Sequence, residues 1–166
     1  MNLYFLRHAI ALEKTRWRRA DSERPLTEDG IRKMKKVAKG IRQLDLELEW
    51  ILTSPFRRAY DTARIVAKEL KVHKKLKISR SLTTDGDPKT LMRHLALDYR
   101  SWESVLLVGH EPYLTSLIGT LIGGINGIAF DLKKGGLCKL TAESLTYGRC
   151  ATLEWFIPPK ILRELA

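Results

Sequence analysis

Short apolar runs alternate with segments of helical periodicity along most of the chain. Residues 3–6 and 105–108 are continuous apolar runs that are bounded by polar residues and are too short for helices. Runs of this kind predict strands that are buried on both faces of a sheet. Two more strands are predicted within residues 46–53 and 76–79, so the pattern indicates four strands before residue 110.

Helices are predicted between these strands, each introduced by residues that favour a helix start. Those start signals are Thr27, Ser54 followed by Pro55, Asp87 followed by Pro88, and Pro112. Side chains of Ser, Thr and Asp accept hydrogen bonds from the free N–H groups of a first turn, and proline suits the first helical position. In the first helix, residues 28–44, apolar side chains recur at helical spacing: Ile31, Met34, Val37, Ala38, Ile41 and Leu44.

The tail of the chain predicts an antiparallel hairpin, with strands near residues 136–141 and 150–157 at or near a sheet edge. Before it, strand and helix alternate four times, which predicts an α/β fold. We expect a three-layer α/β/α sandwich with a mostly parallel central sheet. The 166 residues contain no internal repeat or linker, so residues 1–166 are expected to form one domain.

The formal net charge of +11 is compatible with a nucleic-acid surface, an acidic protein partner or anionic substrates. Aromatic residues are poorly interleaved with the basic ones, which argues against binding of single-stranded nucleic acid. Polar residues and glycines interrupt the long uncharged stretch 112–130, which argues against a membrane span. Because the first strand begins at Leu3, no signal peptide is expected, and we expect a cytoplasmic monomer.

Cys138 and Cys150 are too few for a disulfide framework and lack the spacing of metal ligands. A bridge between them across the predicted hairpin is one alternative. Reduced cysteines that contribute to packing are the expectation.

Three of the predicted strand ends lead into basic side chains. The first strand ends at Arg7 and His8, the helix after the second strand has Arg57 and Arg58 in its first turns, and the fourth strand ends at His110. Because the carboxyl ends of parallel strands meet at one edge of the sheet, these side chains are expected to converge there. Clustered cations repel one another, so the set favours a site for a multiply charged anion. Taken alone, Arg7 and His8 also fit an ordinary strand end.

Three segments resemble the signature segments of the histidine phosphatase superfamily, which includes phosphoglycerate mutase and acid phosphatases. They are residues 7–9 (Arg-His-Ala), 54–63 (Ser-Pro-Phe-Arg-Arg-Ala-Tyr-Asp-Thr-Ala) and 108–112 (Val-Gly-His-Glu-Pro). The run Arg24-Pro25-Leu26-Thr27 with Gly30, together with the short length, most resembles the SixA-type phosphohistidine phosphatases. The resemblance extends in order over residues 1–157 and implies a phosphoglycerate mutase-like fold.

The resemblance implies that His8 is a nucleophile that becomes a transient phosphohistidine. It also implies that Arg7, Arg58 and His110 hold the three equatorial oxygens of the phosphoryl group and stabilise its transition state. Of the two adjacent arginines, Arg58 matches the family position, and Arg57 is expected to be a rim or solvent residue. Since the arginines neutralise the phosphoryl group, no metal and no cofactor are expected.

The chain departs from the family pattern in two places. Ala9 follows the nucleophile where glycine is usual, and it would be strained if its backbone needed a positive φ angle. No glutamate lies in residues 81–88, where mutases and many ester phosphatases of the superfamily place their general acid. Asp85 and Asp87 are the alternatives, although Asp87 is equally placed to cap the next helix.

The missing acid favours a substrate with a good leaving group. An alkoxide needs a proton from such an acid, worth roughly 10²–10⁴-fold in rate, whereas a phosphorylated imidazole departs with less help. The short loop between the third strand and its helix also predicts an open pocket. We therefore expect a phosphatase that hydrolyses phosphohistidine on a protein partner. The alternatives are a phosphatase of small phosphate esters with the same fold, a mutase, and a basic binding module that has lost the chemistry.

Overall fold

The computed structural model describes residues 1–99, 101–124 and 128–166. Within them, the strands are β1 (Asn2–Arg7), β2 (Trp50–Thr53), β3 (Leu76–Ile78), β4 (Ser104–Gly109), β5 (Leu137–Thr141) and β6 (Thr152–Ile157). They form one sheet in the order β3-β2-β4-β1-β5-β6. Strand β4 lies parallel to β1 and β2, and β2 is parallel to β3, whereas β5 is antiparallel to both β1 and β6. The mostly parallel sheet and the hairpin at its edge are confirmed.

The helices cover both faces of this sheet: α1 (Glu28–Gln43), α2 (Arg57–Glu69), α3 (Pro88–Leu97), α4 (Tyr113–Gly123) and α5 (Pro159–Glu164). Alternate residues of a strand point to opposite faces. On β1, Tyr4 and Leu6 belong to the apolar cluster that includes α1, α2 and α5, whereas Leu3 and Phe5 belong to the cluster that includes α3 and α4. The three-layer α/β/α sandwich predicted from the apolar runs is confirmed.

Helix α5 has no counterpart among the predicted elements. It packs against α1 at Gly40, where a Cβ atom would lie only 1.8 Å from the carbonyl oxygen of Leu162. Glycine is therefore required for the two backbones to approach this closely. A helix of six residues is too short to show a helical repeat in the sequence.

Three of the four predicted helix starts are confirmed, because Thr27, Asp87 and Pro112 are the N-cap residues of α1, α3 and α4, and one is wrong. The Thr27 hydroxyl accepts a hydrogen bond from the Gly30 N–H at 2.9 Å, and the Asp87 carboxylate caps α3. The prediction of Ser54 as an N-cap fails, because α2 begins later, with Phe56 as its N-cap. The reason is that the Ser54 N–H donates to the carbonyl of Val108 at 3.0 Å, which keeps Ser54 in the strand ladder.

The alternative of a disulfide across the hairpin is wrong. Cys138 lies opposite Phe156 in the β5–β6 pairing, and Cys150 precedes β6, so the two do not face each other. Both thiols are free, and Cys138 is buried. In the part of the chain that the structure describes, no helix has the length and apolar character needed to cross a membrane.

Candidate active site

Three neighbouring strands bring the predicted side chains to one edge of the sheet. In the pairing of β1, β4 and β2, Arg7 lies opposite Gly109 and Thr53 lies opposite Val108. The ladder continues one residue beyond β1, where the His8 N–H donates to the carbonyl of Gly109 at 3.0 Å. The side chains that follow these strands are therefore neighbours, as the sequence predicts.

The two imidazoles lie side by side. The ring centroids of His8 and His110 are 5.2 Å apart, and the residues are only 6% and 1% exposed. The Nδ1 atom of His8 is 2.7 Å from the carbonyl oxygen of Ala9. A carbonyl only accepts hydrogen bonds, so Nδ1 carries the hydrogen and Nε2 of a neutral ring retains its lone pair.

Ser54 fixes the other imidazole. The Nε2 atom of His110 is 2.9 Å from the Ser54 hydroxyl oxygen, and that oxygen also accepts a hydrogen bond from the Phe56 N–H at 3.3 Å. The Ser54 hydroxyl can donate to Nε2, and in that arrangement the hydrogen of a neutral His110 ring lies on Nδ1. That buried Nδ1 has no hydrogen-bond partner among the described residues.

Both histidines are neutral near pH 7. Burial is the main reason that the pKa of His8 lies well below 6.5; the hydrogen bond to Ala9 opposes this shift, and the charges of Arg58 and Arg7 add to it. For His110, burial and then the charge of Arg58 lower the pKa to about 3. Burial and the neighbouring cations thus leave the Nε2 atom of His8 unprotonated.

The two arginines of the set are held by different partners. Arg7 donates from Nη1 to the carbonyl of Leu132 at 2.9 Å. Arg58, which is 2% exposed, donates from Nη1 to the backbone oxygen of Asp21 at 2.8 Å and from Nη2 to its carboxylate at 2.9 Å. The Nε atoms of both arginines are buried and unpaired within the described ranges. The sequence analysis assigned Arg58 to an oxygen of the phosphoryl group and did not predict its ion pair with Asp21.

The neighbouring arginine has the opposite environment. The side chain of Arg57 is 57% exposed and lies 3.6 Å from Asp61 across one turn of α2. Successive residues of a helix point in directions about 100° apart, so only one of the pair can face the site. The exposure of its side chain confirms the expectation that Arg57 is a rim or solvent residue.

Ala9 is unstrained. Among the described residues other than glycine, positive φ angles occur only at Asp45 and Lys71, so the position after His8 does not need glycine. Its N–H donates to the Thr62 hydroxyl at 3.0 Å, and that hydroxyl donates to the carbonyl of Arg58 at 2.7 Å. Thr62 therefore ties the segment of the proposed nucleophile to helix α2.

The acidic groups around the site differ from those considered in the sequence. Asp85 is exposed, and Asp87 accepts hydrogen bonds from the N–H groups of Lys89 and Thr90 as a helix cap. The half-buried Glu111, directly after His110, accepts a hydrogen bond from Thr115, and burial raises the pKa of its carboxyl.

Sequence reasoning gave several residues of this region no role in the site. They are Asp21, Ser54, Thr62, Glu111 and Lys134. The pKa of the Lys134 side chain is lowered by burial and by the charges of Arg7 and Arg24. Ser54, Thr62 and Glu111 lie in the motifs that carry the resemblance, so their positions were visible; the loop residues Asp21 and Lys134 gave no comparable signal. Within the described part of the chain, no group of three or more His, Cys, Asp or Glu side chains is arranged to hold a metal ion.

Comparison with known proteins identifies the family of this chain. The family model of the histidine phosphatase superfamily (branch 1) matches residues 3–83. An uncharacterized protein of Picosynechococcus sp. is 36% identical over 146 residues, which are 84% of this chain and 84% of that protein. Phosphohistidine phosphatase SixA of Escherichia coli is 31% identical over 126 residues, 75% of this chain and 76% of the relative. The chain belongs to the histidine phosphatase superfamily.

Within that superfamily, the similarity is to the SixA type. A solved structure of the protein histidine phosphatase SixA complexed with tungstate has a TM-score of 0.82 and 28% identity, covering 98% of this chain and 99% of that chain. A phosphoglycerate mutase from Bacillus anthracis, 16% identical with a TM-score of 0.71 over 99% of this chain and 96% of that chain, shares the fold. The SixA-type resemblance and the phosphoglycerate mutase-like fold are thus confirmed, and the family assignment implies a phosphatase.

Proposed function

We propose that this phosphatase hydrolyses phosphohistidine on a protein partner, without a metal or other cofactor, through a covalent intermediate on His8. The observation that carries the proposal is the state of the His8 ring. Its Nδ1–H is held by the carbonyl of Ala9, and its pKa is well below 6.5, so Nε2 offers a lone pair at neutral pH. A buried, neutral and oriented imidazole is suited to attack on phosphorus.

Each proposed phosphate ligand has one buried side-chain nitrogen that lacks a hydrogen-bond partner within the described residues. Arg7 and Arg58 each have a buried Nε–H, and His110 has a buried Nδ1, and none of the three has a partner among the described residues. A buried donor without an acceptor costs about 1–3 kcal/mol, so an acceptor at this place is favoured. A phosphoryl group in transfer presents three equatorial oxygens, which is one for each of these nitrogens.

In the first step, His8 Nε2 forms a bond to phosphorus while the bond from phosphorus to the substrate imidazole breaks; the substrate ring carries a proton on its other nitrogen and leaves as a neutral imidazole. The His8 ring becomes positively charged as it is phosphorylated, and the hydrogen bond from Nδ1–H to Ala9 stabilises that charge. In the second step, a water oxygen attacks phosphorus and the bond to Nε2 breaks. Inorganic phosphate leaves with the protons of the water, and His8 returns to its neutral form.

Two features support a phosphorylated protein as the substrate. The connection from β3 to α3 contains only a short 3₁₀ turn, Arg80–Leu82, before the Asp87 cap, so it adds no domain over the site. The Escherichia coli relative, 31% identical, is a phosphohistidine phosphatase. We propose that the enzyme acts as a monomer in the cytoplasm, on a partner that presents its phosphohistidine at the protein surface.

A second candidate function, hydrolysis of small phosphate esters, is favoured by one observation. Glu111 is half-buried next to His110, and burial raises the pKa of its carboxyl. A carboxylic acid with a raised pKa is the type of group that protonates an alkoxide leaving group. On this alternative, Glu111→Gln slows ester hydrolysis by roughly 10²-fold or more, whereas phosphohistidine hydrolysis changes little.

The decisive experiment compares kcat/KM for a protein phosphorylated on histidine with kcat/KM for small phosphate esters. We expect a clear preference for the phosphohistidine protein, no turnover by His8→Ala, and no effect of chelators. Comparable kcat/KM for the two substrate classes would remove the preference for phosphohistidine. Turnover by His8→Ala at the wild-type rate would refute the covalent mechanism.

The adjacent arginines provide a matched control for the proposed phosphate site. Arg58→Ala is expected to lower kcat/KM by roughly 10²-fold or more, because a buried donor to the transition state is lost. Arg57→Ala should change it by less than about threefold, because an exposed ion pair contributes little. Vanadate, which adopts the five-coordinate geometry of the transition state, should inhibit the wild type and Arg57→Ala far more strongly than Arg58→Ala. Equal losses for the two variants would show that the wrong arginine has been assigned.

A further inference from the structure

We propose that Asp21 is a positioning residue, which holds the Arg58 guanidinium in the orientation that binds the phosphoryl group and is itself held by Arg24. This inference rests on the proposed function, since it takes Arg58 as a ligand of the phosphoryl oxygens. It assigns a role to the loop between β1 and α1, which the mechanism above does not use. Asp21 acts through Arg58 and needs no contact with the substrate.

The hydrogen bonds of Arg58 leave a defined edge of the guanidinium unused. A guanidinium has five N–H groups in a planar fork. Asp21 accepts from Nη1 with its backbone oxygen and from Nη2 with its carboxylate, so it occupies the end of the fork. The side of the fork, formed by Nε–H and the second hydrogen of Nη2, remains. Nε is one of the buried, unpaired nitrogens described above.

Arg24 holds the carboxylate oxygen of Asp21 that does not bond to Arg58. Arg24 donates from Nε to the Asp21 carboxylate at 2.8 Å and from Nη1 to the carbonyl of Leu12 at 2.6 Å. The Leu12 N–H in turn donates to the carbonyl of Pro25 at 3.0 Å, which closes the base of the loop. The partner of Arg58 is therefore a side chain held in place by hydrogen bonds within its own loop.

Because Asp21 is negatively charged, the proposal can be tested by whether its replacement weakens or tightens anion binding. Burial raises the pKa of Asp21, but the charges of Arg58 and Arg24 outweigh it and hold the pKa below its usual range, so the group is ionised. A negative charge beside an oxyanion site weakens anion binding through simple Coulomb repulsion. If charge were its only effect, or if Asp21 merely covered Arg58, removing the charge would tighten binding. If Asp21 positions Arg58, removing it weakens binding.

The test measures tungstate binding by calorimetry, which needs no turnover. Asp21→Asn keeps the shape of the side chain and loses its charge, and Arg24→Gln releases Asp21 without touching Arg58. The matched control is Asp61→Asn, because the Asp61 side chain is 32% exposed and pairs with Arg57, whereas that of Asp21 is 33% exposed and pairs with Arg58. We expect binding to weaken by roughly tenfold or more in Asp21→Asn. Arg24→Gln should weaken it less, and Asp61→Asn by less than about twofold.

Unchanged or tighter tungstate binding in Asp21→Asn would overturn the inference. If that variant does not fold, the exchange rate of the Arg58 Nε–H in Arg24→Gln decides the question, because loss of the Arg24 charge, which also acts on His110, weakens tungstate binding by itself. If the wild type itself fails to bind tungstate, the proposed function is at fault, and the positioning role is then judged by the NMR signal of the Arg58 Nε–H. That signal should exchange faster with water in Asp21→Asn and Arg24→Gln than in Asp61→Asn; equal exchange rates would refute the role.

Discussion

Replacing His110 with glutamine is expected to reduce the loss in the free energy of unfolding that occurs when the pH falls from 7 to 5. His110 is 1% exposed, and burial together with the charge of Arg58 lowers its pKa from 6.5 to about 3. Below pH 6.5 the unfolded chain therefore binds a proton at this residue that the folded protein does not bind. Stability is lost as pH falls through the unfolded pKa, and no such loss occurs above it.

The magnitude follows from the size of the shift. Each pH unit below the unfolded pKa changes the free energy of unfolding by about 1.4 kcal/mol for one group. Between pH 7 and pH 5, His110 alone should therefore cost the wild type roughly 2 kcal/mol. Glutamine does not titrate and retains an amide that can contact Ser54, so the variant should lose about 2 kcal/mol less over the same interval.

Urea unfolding at the two pH values measures this difference directly. His73→Gln is the control for replacing a histidine, because His73 is exposed and is not part of the site. Other titrating groups contribute equally to the wild type and the variant, so the comparison isolates His110. If wild type and His110→Gln lose the same free energy between pH 7 and pH 5, the imidazole is protonated in the folded state and the neutral, cation-surrounded site described here is incorrect.

Two further predictions concern packing around the site. Thr62→Val should lower the free energy of unfolding by about 1–3 kcal/mol, because the buried N–H of Ala9 loses its acceptor. Thr120→Val is the control, because the Thr120 hydroxyl donates a similar hydrogen bond to the carbonyl four residues earlier but at an exposed position. Equal losses in the two variants would contradict the role of Thr62. A thiol reagent should modify only Cys150 in the native protein, because Cys138 is buried and burial raises the pKa of its thiol to about 12. Mass spectrometry should show one adduct before unfolding and two adducts after it. Rapid modification of Cys138 in the native protein would refute its burial.

The position of the site could be predicted because strand ends are visible in the sequence. Apolar runs end at Arg7 and before His110, and parallel pairing brings such ends together whatever the details of packing. Arg58 was identified by its motif, and its burial beside an exposed Arg57 agrees with that assignment. Its pairing with Asp21 could not be predicted, because the two are 37 residues apart and meet only when the loop closes against α2.

The sequence by itself therefore determined the elements, their order and the edge at which the reactive side chains converge, since these depend on periodicity, caps and the rule for parallel strands. Tertiary structure alone decided which hydrogen bonds orient those side chains. It kept Ser54 in the strand ladder next to His110, and it placed Thr62 beneath Ala9. Contacts of this kind depend on how segments remote in the chain pack against one another, and no local pattern of residues encodes them.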